Sequence, residues 1–505
     1  MMSEILSVKK KNHAFLEINT DPAIEAELSD FFCFFVPGYK FMPAYKNKIW
    51  DGKIRLYDAR SKELPIGLYP YLSEFVAVRD YDLQVEHNPY YGRPDSTEPL
   101  DYNWFREFID SLNLTASDKK IEPRDYQLTA IEHALETKRS LLLSPTASGK
   151  SLIIYCAMRY YLEKRDKNVL IVVPTTSLVE QMASDFADYS KWDENFDAEA
   201  EIHKIYGGKE KYPSHNPRIV ITTWQSIYKL GVEWFKDFGM VIGDEAHNFK
   251  AKSLGAIMSK LKEAEFRIGA TGTLDGTQTH RLVLEGHFGS VFKVTSTKDL
   301  IDSGALADLD IKVLLLKYDD VTCQQLKKAK YQEEVDFIVR HEKRNKFITN
   351  LAVDQEGNTL VLFNFVEKHG KPLYNMILEK VHSGRKIFFV SGETDVDDRE
   401  RVRQITEKEK DAIIVASLGT FSTGVNIRNL NNVIFASPSK SQIKILQSIG
   451  RGLRKADDGK GTILYDIADD LHWKQHKNYT LNHAGERIKI YSKEKFEYTI
   501  YEVQL

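Results

Sequence analysis

At 505 residues the chain is too long for one hydrophobic core, and at roughly 100–200 residues per domain it fits about three folded units. Hydrophobic residues at 42% and charged residues at 28% exclude a disordered chain, while a net charge of −3 gives no global pull on nucleic acid, so any such role must come from where the charges sit. Three scattered cysteines (Cys33, Cys156, Cys323), no apolar run approaching roughly 18 residues and no signal-peptide core exclude a disulfide framework, a zinc site and a membrane role. A cytoplasmic protein is expected.

In chain order, residues 14–20 alternate like a strand. Asp21-Pro22 then reads as an N-cap and first helical position, opening a helix with Ile24, Leu28, Phe31 and Phe35 on one side. Residues 39–62 set Lys40, Lys46, Lys48, Lys53, Arg55, Arg60 and Lys62 against Asp51 and Asp58, with Tyr39, Phe41, Tyr45, Trp50 and Tyr57 between them. Within this stretch, 49–54 reads as a hairpin about Asp51-Gly52. Such a hairpin can grip phosphates with Lys46, Lys48 and Lys53 and stack bases on Trp50, at about 1–3 kcal/mol per base. It can equally be a small α+β domain whose rings are core and whose lysines discourage strand pairing at an edge. The Pro/Gly/Asn/Ser-rich stretch 88–100 reads as a linker, giving a first domain over 1–100.

Apolar, β-branched runs at 140–143, 169–173, 219–223, 240–242 and 266–269 alternate with helical patterns. They predict a parallel sheet covered on both faces, within a domain over 101–300. Residues 207–217 read as a loop. A second series at 360–365, 386–390, 412–416, 432–435 and 461–465 predicts another parallel sheet within 301–505, with 301–355 as a connection and an aromatic tail, 466–505, packed on this unit or on the first domain.

The chemistry begins at 141–151, LLLSPTASGKS. An apolar strand, a small-residue turn (Thr146, Ala147, Ser148) and Gly149-Lys150-Ser151 before an apolar helix present backbone N–H groups and one ammonium to a polyphosphate, leaving the Ser151 hydroxyl for Mg²⁺. Asp244-Glu245-Ala246-His247 follows a second apolar strand, at the carboxyl edge where open α/β sheets bind ligands. There Asp244 can hold Mg²⁺, and Glu245 can orient and deprotonate an attacking water.

With these motifs in place, the stretch 124–454 resembles the superfamily 2 helicases and translocases, with a DEAH form of the Walker B motif. The resemblance implies two tandem RecA-like parallel-sheet domains preceded by a small α+β domain, and ATP with Mg²⁺ as cofactors. Arg124, Tyr126 and Gln127 match the adenine-recognising RxYQ element. Pro174 and Thr175, with Leu178 and Gln181, resemble the first strand-contacting motif, Thr223 belongs to the next, and Ala270-Thr271-Gly272-Thr273 resembles the motif coupling hydrolysis to movement. SLGTFSTGVN at 417–426, with Gly424, resembles a motif touching nucleic acid and nucleotide, and 447–454 matches QxxGRxxR, making Arg451 and Arg454 arginine fingers. Ser144 and Ala147 replace glycines of the family pattern, and Asn426 replaces an aspartate.

The N-terminal WDGKIRLYD and the segments FFVSGE, FSTGV and IGRGLRK narrow the resemblance to the recombination and repair helicases of T-even-type phages. That implies a monomeric, ATP-driven motor on branched DNA: forks, Holliday junctions, D-loops and R-loops, including RNA–DNA hybrids. The alternatives are an RNA helicase and a double-stranded DNA translocase that does not separate strands. An ATP-gated clamp would need Lys150 and Asp244 but no fingers, and the arginines argue against it.

Overall fold

The structure is a computed structural model, and it describes residues 5–213, 216–274, 277–381, 384–423, 429–438 and 461–505. Residues up to 144 with 149–294 form one compact unit, and 145–148 with 295–505 a second.

The first unit opens with a four-stranded sheet in the order Glu63–Pro65, Phe15–Thr20, Ile5–Lys10, Asp82–Glu86, antiparallel except for the last pair. Period-two alternation turns Leu6, Val8, Leu16 and Ile18 to one buried face. The helices Pro22–Phe31 and Tyr69–Arg79 add Ile24, Leu28, Leu72 and Phe75 to the same core. Asp21 and Pro22 take the expected N-cap and first helical positions, without a side-chain capping bond.

Two local expectations are corrected. The helix stops at Phe31, and Phe35 lies on a short strand, Cys33–Phe35, with its side chain exposed. That strand pairs antiparallel with Lys53–Arg55, so residues 49–54 are not a hairpin about Asp51-Gly52. Gly52 does take a left-handed φ of +82°, and its carbonyl accepts from the Val36 N–H at 2.8 Å. Pro43 and the left-handed Lys48 (φ +57°) break any extended run before Trp50, and the chain from 39 to 46 makes two short helical turns instead.

The same unit contains a seven-stranded sheet, all parallel, in the order Ile202–Ile205, Ile219–Thr223, Asn168–Val173, Phe238–Asp244, Phe266–Thr271, Arg139–Leu143, Val291–Lys293. Alternate residues feed two cores. Leu142, Ile171, Ile221 and Ile242 pack with the helices Asp125–Thr137, Lys150–Lys164 and Thr176–Tyr189. Leu141, Leu170, Val172 and Val241 pack with Lys252–Lys260 and Gln278–Phe288. Burial on both faces is why these strands read as unbroken apolar runs.

The small domain is docked on the helix Gln278–Phe288. A Cβ on Gly67 would lie 1.9 Å from the Glu285 carbonyl oxygen, so the two backbones touch there, and Leu282 joins the small domain's core. Glu285, almost wholly buried, accepts from the Tyr71 hydroxyl at 2.5 Å and pairs with Arg281 at 3.1 Å.

The second unit has its own parallel seven-stranded sheet, ordered Lys386–Val390, Ala412–Ser417, Thr359–Phe363, Asn432–Phe435, Thr462–Asp470, Leu309–Lys317, Tyr498–Gln504. The segment expected only to connect, 301–355, therefore supplies a strand, Leu309–Lys317, and helices including Glu342–Asp354. The tail packs on this unit, with helix Tyr479–Lys493 against the sheet and Tyr498–Gln504 as its edge strand. Buried charges meet there: Arg344 Nε lies 2.7 Å from Asp469, the Tyr318 hydroxyl donates to the same carboxylate at 2.8 Å, and Arg344 also donates to the Ala436 carbonyl. The observed fold is the expected one, two RecA-like parallel-sheet domains and a small α+β domain at the N-terminus.

Candidate nucleotide site and nucleic-acid groove

Strand Arg139–Leu143 ends at Ser144, whose N–H donates to the Thr271 carbonyl of the neighbouring strand at 2.8 Å. The chain then turns tightly: the Ser148 N–H and hydroxyl both donate to the Pro145 carbonyl, at 3.2 and 2.6 Å. Ala147 sits at a left-handed φ of +65°, a conformation that favours the glycine of the family pattern. Gly149, at φ +80°, is the N-cap of the 15-residue helix Lys150–Lys164. A Cβ there would stand 2.2 Å from Gln127 Nε2, the end of a side chain that could shift, so it is the positive φ that calls for glycine.

The N–H groups of Leu152 and Ile153 are taken by the Gly149 carbonyl, which leaves those of Lys150 and Ser151 at the open helix end. Thr146 is half-buried in the loop. Lys150 Nζ rests 3.4 Å from the Ser144 carbonyl, and the Ser151 hydroxyl lies 3.0 Å from that of Tyr189.

Asp244 ends the strand Phe238–Asp244 and is in register with Ala270, while Thr271 is in register with Leu143. Three adjacent strands thus bring Asp244, the Thr271 motif and the phosphate loop to one edge. The Asp244 carboxyl is buried and pushed up to about 6, first by burial and then by the charge of Glu245, with Lys150 acting in the opposite sense. Its Oδ1 has no hydrogen-bond partner among the described residues. A buried, unpartnered carboxylate oxygen fits a divalent cation, and so does the hydroxyl of Ser151 at the helix end.

Glu245 follows at a left-handed φ of +48°. His247 Nδ1 lies 3.0 Å from Thr271 Oγ1, and the Thr271 hydroxyl donates to the Thr273 carbonyl at 3.0 Å. With that proton committed, the hydrogen-bond pattern assigns the His247 proton to Nδ1. Nδ1 is also 3.4 Å from Glu245 Oε2, so one imidazole spans both motifs.

Arg124, Tyr126 and Gln127 open the helix Asp125–Thr137. Gln127 Oε1 accepts from the Arg124 N–H at 2.8 Å, its amide is buried against Gly149, and Arg124 Nη1 donates to the Tyr126 hydroxyl at 3.2 Å. The glutamine expected to read a base edge therefore lies against Gly149 and caps its own helix through the Arg124 N–H.

Pro174, Thr175 and Thr223 line one groove of about 550 Å³ at the carboxyl ends of Asn168–Val173 and Ile219–Thr223. Thr175 caps the helix Thr176–Tyr189 by accepting from the Leu178 N–H at 3.4 Å, and Thr223 Oγ1 is 3.0 Å from Ser226 Oγ. Lys209 and Lys211 stand on the same groove with Gly207, Gly208 and Gln225. Sequence reasoning passed over these two lysines, although a cation pair just after Gly-Gly was the available signal.

On the small domain, Lys46 and Lys48 are exposed, and Lys53 Nζ lies 5.0 Å over the Phe35 ring, which stacks on Tyr39 at 4.6 Å. Trp50 is half-buried, with its indole N–H donated to the Lys53 carbonyl at 2.9 Å. Phe41 (80% exposed) and Ile49 (79%) are the most open apolar side chains of this loop. Gly424, Asn426, Arg451 and Arg454 lie outside the described residues.

Three family models match: the DNA helicase UvsW N-terminal domain over residues 6–86, the res subunit of type III restriction enzymes over 120–276, and the helicase conserved C-terminal domain over 342–456. The chain is 36% identical to the ATP-dependent DNA helicase uvsW of Enterobacteria phage T4, over 99% of this chain and 100% of the relative. It is 26% identical to the DNA 3'-5' translocase XPB2 of Sulfurisphaera tokodaii, over 71% of this chain and 84% of that one. Among solved structures, T4 UvsW superposes with a TM-score of 0.52 at 34% identity, covering 99% of both chains. RNA-bound Dbp5 of S. cerevisiae shares the fold, with a TM-score of 0.53 at 14% identity over 78% of this chain and 95% of that one.

Proposed function

The chain belongs to the UvsW family of ATP-dependent DNA helicases, and we propose that it uses ATP to unwind and branch-migrate branched DNA in phage recombination, repair and replication control. Its substrates in this reading are forks, Holliday junctions, D-loops and R-loops, and it works as a monomer in the host cytoplasm. The observation that carries the reading is the placement of Lys150, Ser151 and Asp244 at neighbouring ends of one parallel sheet, in the same unit as a groove that bears two lysines.

In this reading residues 101–300 bind the nucleotide. Lys150 and the backbone of Thr146, Ala147, Ser148 and Gly149 cradle the triphosphate, while Arg124, Tyr126 and Gln127 take the adenine. Ser151 and Asp244 hold Mg²⁺, which when bound neutralises phosphate charge. Glu245 orients the attacking water and accepts its proton. Residues 301–505 supply Gly424 to the nucleotide and Arg451 and Arg454 as fingers, so that hydrolysis depends on both motor domains.

The groove holding Pro174, Thr175 and Thr223 takes one strand through its phosphates and sugars. Residues 1–100 add Lys46, Lys48, Trp50 and Lys53 at the branch. The test is strand displacement and ATP hydrolysis measured together on single strands, duplex, forks, four-way junctions and RNA–DNA hybrids. Displacement on forks and junctions is expected. Activity on RNA alone, or hydrolysis on duplex DNA without displacement, would move the chain to one of the two alternatives.

A further inference from the structure

We propose that Tyr189 is a positioning residue for the nucleotide-bound cation: its phenolic oxygen accepts the Ser151 hydroxyl proton and so turns the serine's lone pairs toward the metal. The two hydroxyls lie 3.0 Å apart, and either can donate. A serine that gives a lone pair to a cation keeps one proton that must find an acceptor. Among the described residues, Tyr189 is the side chain placed to take it.

Tyr189 is suited to that task. It is the last residue of the helix Thr176–Tyr189, and its ring packs against that of Tyr155 at 5.6 Å. A phenol is neutral at working pH and offers both a donor and acceptor sites. Outer partners of this kind fix a ligand's orientation without touching the metal, and their loss typically costs about 10–100-fold in metal affinity.

The inference rests on reading Ser151 as a metal-side residue, and the experiment separates the two ideas. Binding of a fluorescent ATP analogue is titrated at increasing free Mg²⁺ for the full chain and for the Tyr189→Phe, Ser151→Ala and doubly substituted chains. Thermal melts check that each is folded. Tyr189→Phe should bind the analogue unchanged without Mg²⁺ yet need about tenfold more Mg²⁺ for half-maximal tightening. Ser151→Ala should shift the midpoint at least as far, with the double change adding nothing. A Tyr189→Phe curve that overlays the wild-type curve while Ser151→Ala shifts overturns the positioning role. If Ser151→Ala also leaves the midpoint in place, the metal-side reading of Ser151 fails and the proposal falls with it. Weaker binding of Tyr189→Phe in the absence of Mg²⁺, with an unmoved midpoint, would mark a packing role and likewise overturn it.

Discussion

The Tyr71 hydroxyl donates to the buried carboxylate of Glu285 at 2.5 Å, and so fastens the N-terminal domain to the helix that follows the Ala270–Thr273 motif. The bond is part of a seam in which Gly67 lies backbone to backbone against Glu285, and Thr279 donates to the Phe35 carbonyl at 3.4 Å. In the proposed motor cycle this seam would carry a motion of that helix to the strand that holds Phe35 and pairs with Lys53.

Gly67→Ala tests the seam. Its Cβ would meet the Glu285 carbonyl at 1.9 Å, so the domains must part or distort. A loss of about 1–3 kcal/mol in urea unfolding is expected, with strand displacement falling more than DNA-stimulated ATP hydrolysis. Unchanged stability and displacement would show that the seam does not transmit motion.

Lys209 and Lys211 give a second prediction. If both meet phosphates of a single strand, replacing them with Ala should weaken binding irrespective of sequence and flatten the slope of log affinity against log salt by about 0.7 per lost contact. An unchanged slope would remove the groove from the path of the strand.

The legible part of this fold is the part dictated by burial. Strands such as Arg139–Leu143 and Phe238–Asp244 are covered on both faces, so their apolar runs stand out, and Gly149-Lys150-Ser151 and Asp244-Glu245 can be placed after their ends from the sequence. Leu309–Lys317 escaped because Asp310, Lys312 and Lys317 interrupt its pattern, although Ile311, Val313 and Leu316 are buried. The Asp51-Gly52 hairpin was misread because Gly52 has the required conformation while Lys53–Arg55 finds its partner 20 residues earlier, at Cys33–Phe35. The closeness of Gln127 to Gly149 and the hydrogen bond between the Tyr189 and Ser151 hydroxyls join helices far apart in sequence, and no local pattern encodes them.

Lys10 gives a pH-dependent prediction. It is buried beside Arg139, Lys138 and Arg267, with Glu265 acting in the opposite sense, and burial followed by these cations lowers its ammonium to about 8. Between about 8 and 10.5 the folded chain then binds fewer protons at Lys10 than the unfolded chain, so this residue's contribution makes stability rise with pH in that window. Lys10→Met should stabilise the fold at pH 7 by about 1–3 kcal/mol, with the gain shrinking above pH 8. Melting the two chains at pH 7 and pH 9.5 checks it; a gain independent of pH would contradict it.

The Arg344–Asp469 pair, almost fully buried, should behave in the opposite way on removal of one partner. Arg344→Met leaves an uncompensated carboxylate under the sheet and should cost about 3–5 kcal/mol, whereas changing Asp469 to Leu as well should recover part of that loss. Urea unfolding of the single and double variants reads the coupling directly, and equal stability of the two would refute it.

The most direct test of the account is Lys150→Ala assayed for ATP hydrolysis and for binding to forked DNA in the same preparation. Hydrolysis should fall to background and strand displacement with it, while fork affinity and its salt dependence remain those of the unaltered chain. Hydrolysis at the original rate would contradict the assignment of 144–151 as the phosphate loop and with it the motor built around that loop.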